Sequence, residues 1–208
     1  DEALRAVMTG MDMVKYAKDE GYNIIATGEM GIGNTTTSSA VTAVLTGRDA
    51  AEVTGRGAGL SSEGLARKIN AIERAIALNK PERSDALDVL GKVGGLDIAG
   101  LAGICIGGGV YGMPVILDGF ISLASALVAE RLCPECGEFL IASHISNEPA
   151  THILIEEMGL TPVICAGMHL GEGTGAVALL PLIDLALAVY SGMRTFEDIS
   201  VEAYKPLC

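Results

Sequence analysis

Tryptophan is absent from this 208-residue chain, and aromatic residues make up only 4% of it. With half of the residues apolar, the bulk of any core must come from Ala, Val, Ile and Leu. That mixture suits a parallel sheet covered by helices, whose strands are buried on both sides. Basic residues are scarce too: 14 Lys and Arg stand against 26 Asp and Glu, a formal net charge of −12. This balance speaks against nucleic acid as a partner, because its phosphates need a basic face. It speaks against an anionic membrane surface on the same ground. A phosphorylated small molecule would be held by local donors working against the field of the whole chain.

The five cysteines, Cys105, Cys133, Cys136, Cys165 and Cys208, include one CxxC pair, Cys133 and Cys136, and no second. Structural zinc takes four ligands, and no thioredoxin-like context surrounds the pair. No metal site is expected, and reduced thiols of a cytoplasmic protein fit best. The uncharged run over residues 98–117 contains six glycines and Pro114. A lone helix of that composition would form poorly in lipid, so a buried helix or loop followed by a strand is predicted there. No secretory signal is evident, and the chain starts at Asp1, as expected of a processed chain or an excised piece.

The length suits one α/β domain spanning 1–208. Apolar residues at helical spacing predict helices over 2–18, 63–78, 85–93, 121–131 and 151–158, with a long apolar one over 175–191 that contains Pro181. Another begins near Thr35, in a run of Thr and Ser that favours helix N-termini, and ends at Gly47. Short apolar runs predict strands over 22–27, 113–117, 139–143 and 162–166. Strands alternating with helices define the fold class: α/β, a three-layer α/β/α arrangement with a mostly parallel, open, Rossmann-like sheet and helices on both faces. Ligands of such sheets bind beyond the carboxyl ends of the strands. Glu29, Asp118, His144 and Glu172 each follow a predicted strand and should therefore share one rim.

Two loops carry the chemistry. Residues 28–35, GEMGIGNT, and 170–175, LGEGTG, each set one glutamate among glycines. Glycine allows close backbone approach to a ligand, and a carboxylate held there can act as a base. The plainer alternative is a pair of tight strand-to-helix turns with solvated glutamates. The first loop nearly matches the P-loop spacing, but Asn34 stands where the phosphate-binding lysine belongs, which argues against a nucleoside triphosphatase. Its backbone amides and the following helix N-terminus still suit a monophosphate. Lys68 is the best candidate to supply the missing charge. Asp97 and Asp118 are turn or cap residues by ordinary preference, or groups that bind a ribose hydroxyl. His144 and His152 lie on different predicted elements and suggest no metal site, and His169 suits a positioning or structural role. The residues alone point to an α/β enzyme acting on a sugar phosphate, with glutamate as acid or base.

GEMGIGNTT, GRGAGL followed by the helix of Lys68, GGLDIAG, ILDGFISLASAL, LIASHIS and HLGEGTGAV occur in this order along essentially the whole chain. Together they closely resemble the nicotinate-nucleotide–dimethylbenzimidazole phosphoribosyltransferase family. The resemblance implies transfer of ribose 5-phosphate from nicotinate mononucleotide to 5,6-dimethylbenzimidazole or a related base. The products are nicotinate and α-ribazole 5′-phosphate, the lower-ligand nucleotide of cobalamin, and no cofactor is required. The same resemblance makes Glu172 the general base and places Glu29 beside the phosphate loop as a second catalytic residue. Lys68 becomes a phosphate contact, and Asp97 and Asp118 acidic groups near the site. Gly31, Gly33, Asn34, Ser146, Leu170 and Gly171 fall in loops that touch phosphate, ribose or base. A carboxylate in a dry glycine loop would have its pKa raised towards the working range.

Family members are generally longer at the N-terminus, where a small helical region helps build the aromatic-base pocket, partly across a homodimer. This chain starts near the beginning of the catalytic region, which implies a fragment or a shortened relative. The alternative reading is therefore a catalytically incomplete nucleotide- or phosphate-binding core. His169 also departs from the arginine that commonly precedes LGEGTG.

Overall fold

The computed structural model describes residues 1–57, 59–202 and 205. Cys208 lies outside the described residues. The chain runs α1 (Glu2–Asp19), β1 (Ile25–Ala26), α2 (Thr35–Thr46), α3 (Ala50–Val53), α4 (Ser62–Asn79), α5 (Ala86–Val93), α6 (Leu96–Tyr111) and β2 (Val115–Leu117). It continues through α7 (Phe120–Leu132), a 3-10 turn (Pro134–Phe139), β3 (Leu140–Ala142), α8 (Ala150–Glu157) and α9 (Thr174–Gly192). Helix starts follow side-chain chemistry: the Ser61 hydroxyl accepts from Gly64 N–H, and the Asp85 carboxylate accepts from Leu87 and Asp88 N–H.

The sheet is small, parallel and ordered β1-β2-β3. Its register pairs Ile25 with Val115, and Val115 with Leu140. The strand predicted over 162–166 reduces to one parallel bridge, His144 to Ile164, at the edge of the sheet. Pro162 offers no N–H to extend that pairing. α3 and the 3-10 turn carry no periodicity long enough to read from sequence.

Alternation along β2 divides the interior into two unequal layers. Val115 and Leu117 join the large core built from helices α1 to α8, while Ile116 packs with Ala176 and Leu179 of α9. The order β1-β2-β3 explains the asymmetry. Every right-handed crossover proceeds the same way across the sheet, so the crossover helices collect on one face. Helices cover both faces as predicted, but α9 stands nearly alone on its own.

The glycines of the uncharged run turn out to be a packing device. A Cβ on Gly103 would meet Val7 O at 1.9 Å, and one on Gly10 would meet Gly100 O at 2.0 Å, so α1 and α6 touch through their backbones. Cys136 is buried beside α6, and that burial, with neighbouring Cys133 second, pushes its thiol up to about 12. A thiol so held packs as a small hydrophobe rather than a nucleophile. α9 is the opposite case. It is long and apolar enough to cross a membrane by length and composition, yet it is mostly exposed, with Leu185 and Tyr190 64% and 87% accessible.

Candidate active site

The carboxyl ends of the strands open into a cleft of about 580 Å³. Its walls come from the loops after β1, β2 and β3, the segment between α3 and α4, and the turn before α9. The first turns of α2 and α7 border it through Thr35 and Phe120. Each helix start contributes partial positive charge and free amides.

The two glycine loops meet directly. Glu172 N–H donates to the Glu29 carbonyl at 3.0 Å, and a Cβ on Gly28 would come 2.6 Å from Gly173 N. Only glycine permits that approach, so the resemblance between the loops in sequence corresponds to contact in space. Glu29 is half-buried, and its carboxylate accepts from Gly31 N–H within its own loop. Glu172 is exposed and sits at φ +59°, between Gly171 at +79° and Gly173 at +82°. A left-handed non-glycine residue costs of order 1–3 kcal/mol. The dry setting expected for Glu172 is not what this chain builds, because its walls stop at Leu170 and Gly171 and leave the carboxylate in solvent.

What holds the second loop is Asp118, only 3% exposed at the end of β2. Its Oδ1 accepts from Gly175 N–H (2.8 Å) and Ala176 N–H (3.2 Å), and its Oδ2 from Gly173 N–H (3.1 Å). Hydrogen bonds to a charged group contribute roughly 1.5–3 kcal/mol each, enough to offset the strain at Glu172. Asp118 is in turn fixed by its own N–H, which donates to the Thr27 hydroxyl at 3.2 Å.

Lys68 is buried behind the cleft wall, its ammonium donating to Thr35 Oγ1 (2.9 Å) and the Gly55 carbonyl (3.1 Å). A lysine ammonium has three protons, so one remains for a ligand at the start of α2. Burial holds the Lys68 pKa below the ordinary value, while the nearby Glu148 pulls the other way. His144 also lines the cleft, with Nδ1 2.9 Å from the Ser143 hydroxyl. Burial lowers its pKa as well, against an opposing pull from Asp118.

Of the residues expected at the site, Glu29, Gly31, Asp118, Ser146, Leu170 and Gly171 line the cleft. Glu172 stands at its edge, next to Gly171, and Lys68 reaches it through Thr35. Asn34 and Asp97 are brought together but away from the cleft walls. Asn34 Nδ2 donates to Asp97 Oδ2 at 2.7 Å, tying the start of α2 to the first turn of α6. Gly33 is likewise outside the walls. Ser146 spends its hydroxyl on Thr151 Oγ1 at 2.6 Å, at the entry to α8.

Glu148 was missed in the sequence. Its Oε2 is buried without a partner against Gly55, where a Cβ would approach within 1.7 Å. Its signal was available: a charged residue in a Ser-Asn-Glu-Pro turn directly after a strand. Among the described residues, no three His, Cys, Asp or Glu side chains converge on one point.

The class that this fold and cleft define is that of the phosphoribosyltransferases, and the family model so described matches residues 1–201. Nicotinate-nucleotide–dimethylbenzimidazole phosphoribosyltransferase from Ruminiclostridium cellulolyticum is 48% identical over 207 residues, covering 100% of this chain and 59% of that relative. The protein of the same name from Clostridium acetobutylicum is 49% identical with the same coverage. The crystal structure of CobT from Thermus thermophilus superposes with a TM-score of 0.89 at 40% identity, over 96% of this chain and 60% of that one. The chain belongs to the nicotinate-nucleotide–dimethylbenzimidazole phosphoribosyltransferase family. It spans about three-fifths of the length of these relatives.

Proposed function

We propose that residues 1–208 form one catalytic domain that moves ribose 5-phosphate from nicotinate mononucleotide to 5,6-dimethylbenzimidazole or a related base, in cobalamin lower-ligand synthesis. The observation that carries the reading is the hydrogen bond from Glu172 N–H to the Glu29 carbonyl. It sets a presented carboxylate beside the loop that leads to α2 and Lys68.

In this reading the phosphate sits at the start of α2, against the third Lys68 proton, and the ribose lies across the cleft towards Leu170 and Gly171. The lone pair of the incoming imidazole nitrogen attacks C1′ from the face opposite nicotinate. The C1′–nicotinate bond breaks with its electrons going to the pyridine nitrogen. The proton on the other imidazole nitrogen passes to Glu172, and the configuration inverts from β to α. Glu29 keeps the loop in shape through its carbonyl and its bond to Gly31.

Small molecules are then the ligands, and a cytoplasmic homodimer is the working state. The exposed apolar side of α9 fits a protein contact better than lipid. Its first turn is anchored at the cleft rim by Asp118, and Asp184 interrupts its middle. An aspartate at the centre of a membrane helix costs about 2.5–3.5 kcal/mol.

Incubating purified protein with nicotinate mononucleotide and dimethylbenzimidazole tests the proposal, with release of nicotinate and α-ribazole phosphate as the expected result. The exposure of Glu172 favours one second reading, a core that holds the phosphate without turning over. Phosphate binding that depends on Lys68, with no product from a protein of the relatives' full length, would establish that reading and remove the first.

A further inference from the structure

Asp118 looks, from its place on the cleft wall, like a group for the substrate, yet its carboxylate is already committed. Both oxygens are held by three backbone amides, Gly173, Gly175 and Ala176. Those amides flank Glu172 on its C-terminal side, and they open α9. A carboxylate offers about four lone-pair sites, of which three are taken.

The segment they belong to has little else to fix it. Gly171, Glu172 and Gly173 are three consecutive left-handed residues. Their remaining ties are Glu172 N–H to the Glu29 carbonyl, the Thr174 amide and hydroxyl to the Gly171 carbonyl, and the first-turn bond of α9 from Val177 N–H to the Gly173 carbonyl. Core packing starts past Glu172, at Gly175, Ala176 and Leu179 of α9, and leaves Glu172 itself exposed. Gly175 is closely fitted: a Cβ there would fall 2.0 Å from His144 Nδ1 and 2.9 Å from Asp118 Oδ1. The loop is thus pressed onto a rigid seat made by the end of β2.

We infer that Asp118 is a positioning residue for Glu172, holding the presented carboxylate in its left-handed conformation by capping the amides that follow it, and that it is not a substrate ligand. The inference rests on the reading of Glu172 as the base. A misplacement of about 1 Å at a reacting group can cost roughly 10²-fold in rate, so the cap should be felt in turnover rather than in substrate binding.

The test uses Asp118→Asn, which keeps the shape but sets an NH₂ group against amide donors, alongside Glu172→Gln and the double variant. Expected are a loss in kcat of about 10²-fold for Asp118→Asn, with KM for nicotinate mononucleotide unchanged. The double variant should be no slower than Glu172→Gln alone, because the cap acts through that carboxylate. Amide hydrogen exchange should accelerate at Gly173, Gly175 and Ala176 while the α6 and α7 amides stay protected. Additive losses, or a rise in KM at unchanged kcat, overturn the inference. Full rate in Glu172→Gln removes the base reading instead, and with it the catalytic part of this one. If the wild-type chain forms no product, unchanged exchange at the three amides overturns the cap and acceleration supports it.

Discussion

The two glycine loops look alike in sequence, and the structure builds them to opposite ends. Glu29 turns its carboxylate back onto Gly31 N–H, so the first loop is closed on itself. Glu172 is held out to solvent by Asp118, so the second loop is open. Behind each lies a buried titratable group: Lys68 at the start of α2, and His144 against Gly175. Burial lowers both pKa values, and each has one acidic neighbour opposing the shift, Glu148 and Asp118 respectively. The difference lies in what each can offer. Lys68 keeps a proton and a positive charge for an anion, whereas His144 favours its neutral form and leaves the second loop to its carboxylate. In the proposed function, one rim therefore separates an anion seat from a proton acceptor, although composition makes the loops twins.

Exchanging glutamate for glutamine in each loop breaks the comparison hardest. Glu172→Gln removes the proposed proton acceptor and is expected to lower kcat by about 10²–10⁴-fold, the usual contribution of a general base. Glu29→Gln keeps an oxygen for Gly31 N–H and leaves the carbonyl that holds Glu172, so its loss should stay near about tenfold, roughly one lost charge-assisted hydrogen bond. Steady-state rates of ribosyl transfer decide, and equal losses would mean that the loops share the proton transfer.

Much of this arrangement was legible because strand ends are local. Glu29, Asp118 and His144 each follow a short apolar run, and a parallel sheet gathers such positions on one rim whatever the order of its strands. Partnership was not legible, because it depends on which backbone arrives opposite. Asn34 reads as a phosphate-loop residue, yet it pairs with Asp97, 63 positions away and outside the cleft. Asp118 reads as a turn or cap residue or as a ribose ligand, and only the amides of α9 on its carboxylate decide for the cap. The apolar pattern of 175–191 predicts a helix correctly, but says nothing of how little protein lies against it. The 162–166 run has strand character but bonds only around the end of β3, at Ala142, Ser143 and Ile145, and makes one isolated bridge.

Lys68 tests the anion side. Replacing it with Met keeps the buried stem and removes the charge, and the Kd for inorganic phosphate should rise about tenfold, equivalent to about 1.4 kcal/mol. Its pKa lies below 10.5, so wild-type affinity should begin to fall at a lower pH than an exposed lysine would allow. Between the folded value and 10.5 the unfolded chain binds more protons, so stability rises with pH across that window. Calorimetric titration at several pH values checks the first effect. A pH-independent Kd would place the phosphate elsewhere on the rim.

The smallest effect is expected from His144, behind the open loop. Its folded pKa is lowered from 6.5 by burial, with Asp118 opposing. Well above 6.5 both folded and unfolded chains carry the ring uncharged, and it contributes no pH dependence. As pH falls below 6.5 the unfolded chain takes up a proton first, so ∂ΔG/∂pH is positive and stability drops until the pH has passed the folded pKa. Denaturant unfolding between pH 7.5 and pH 5, compared in wild type and His144→Gln, isolates this contribution. The wild-type curve should fall more steeply over the acidic part of that range, while the variant follows only the carboxylates. Parallel curves would mean that Asp118 compensates the proton on His144. The open loop would then be backed by an ion pair rather than a neutral ring, and its contrast with the Lys68 side would narrow to the two carboxylates alone.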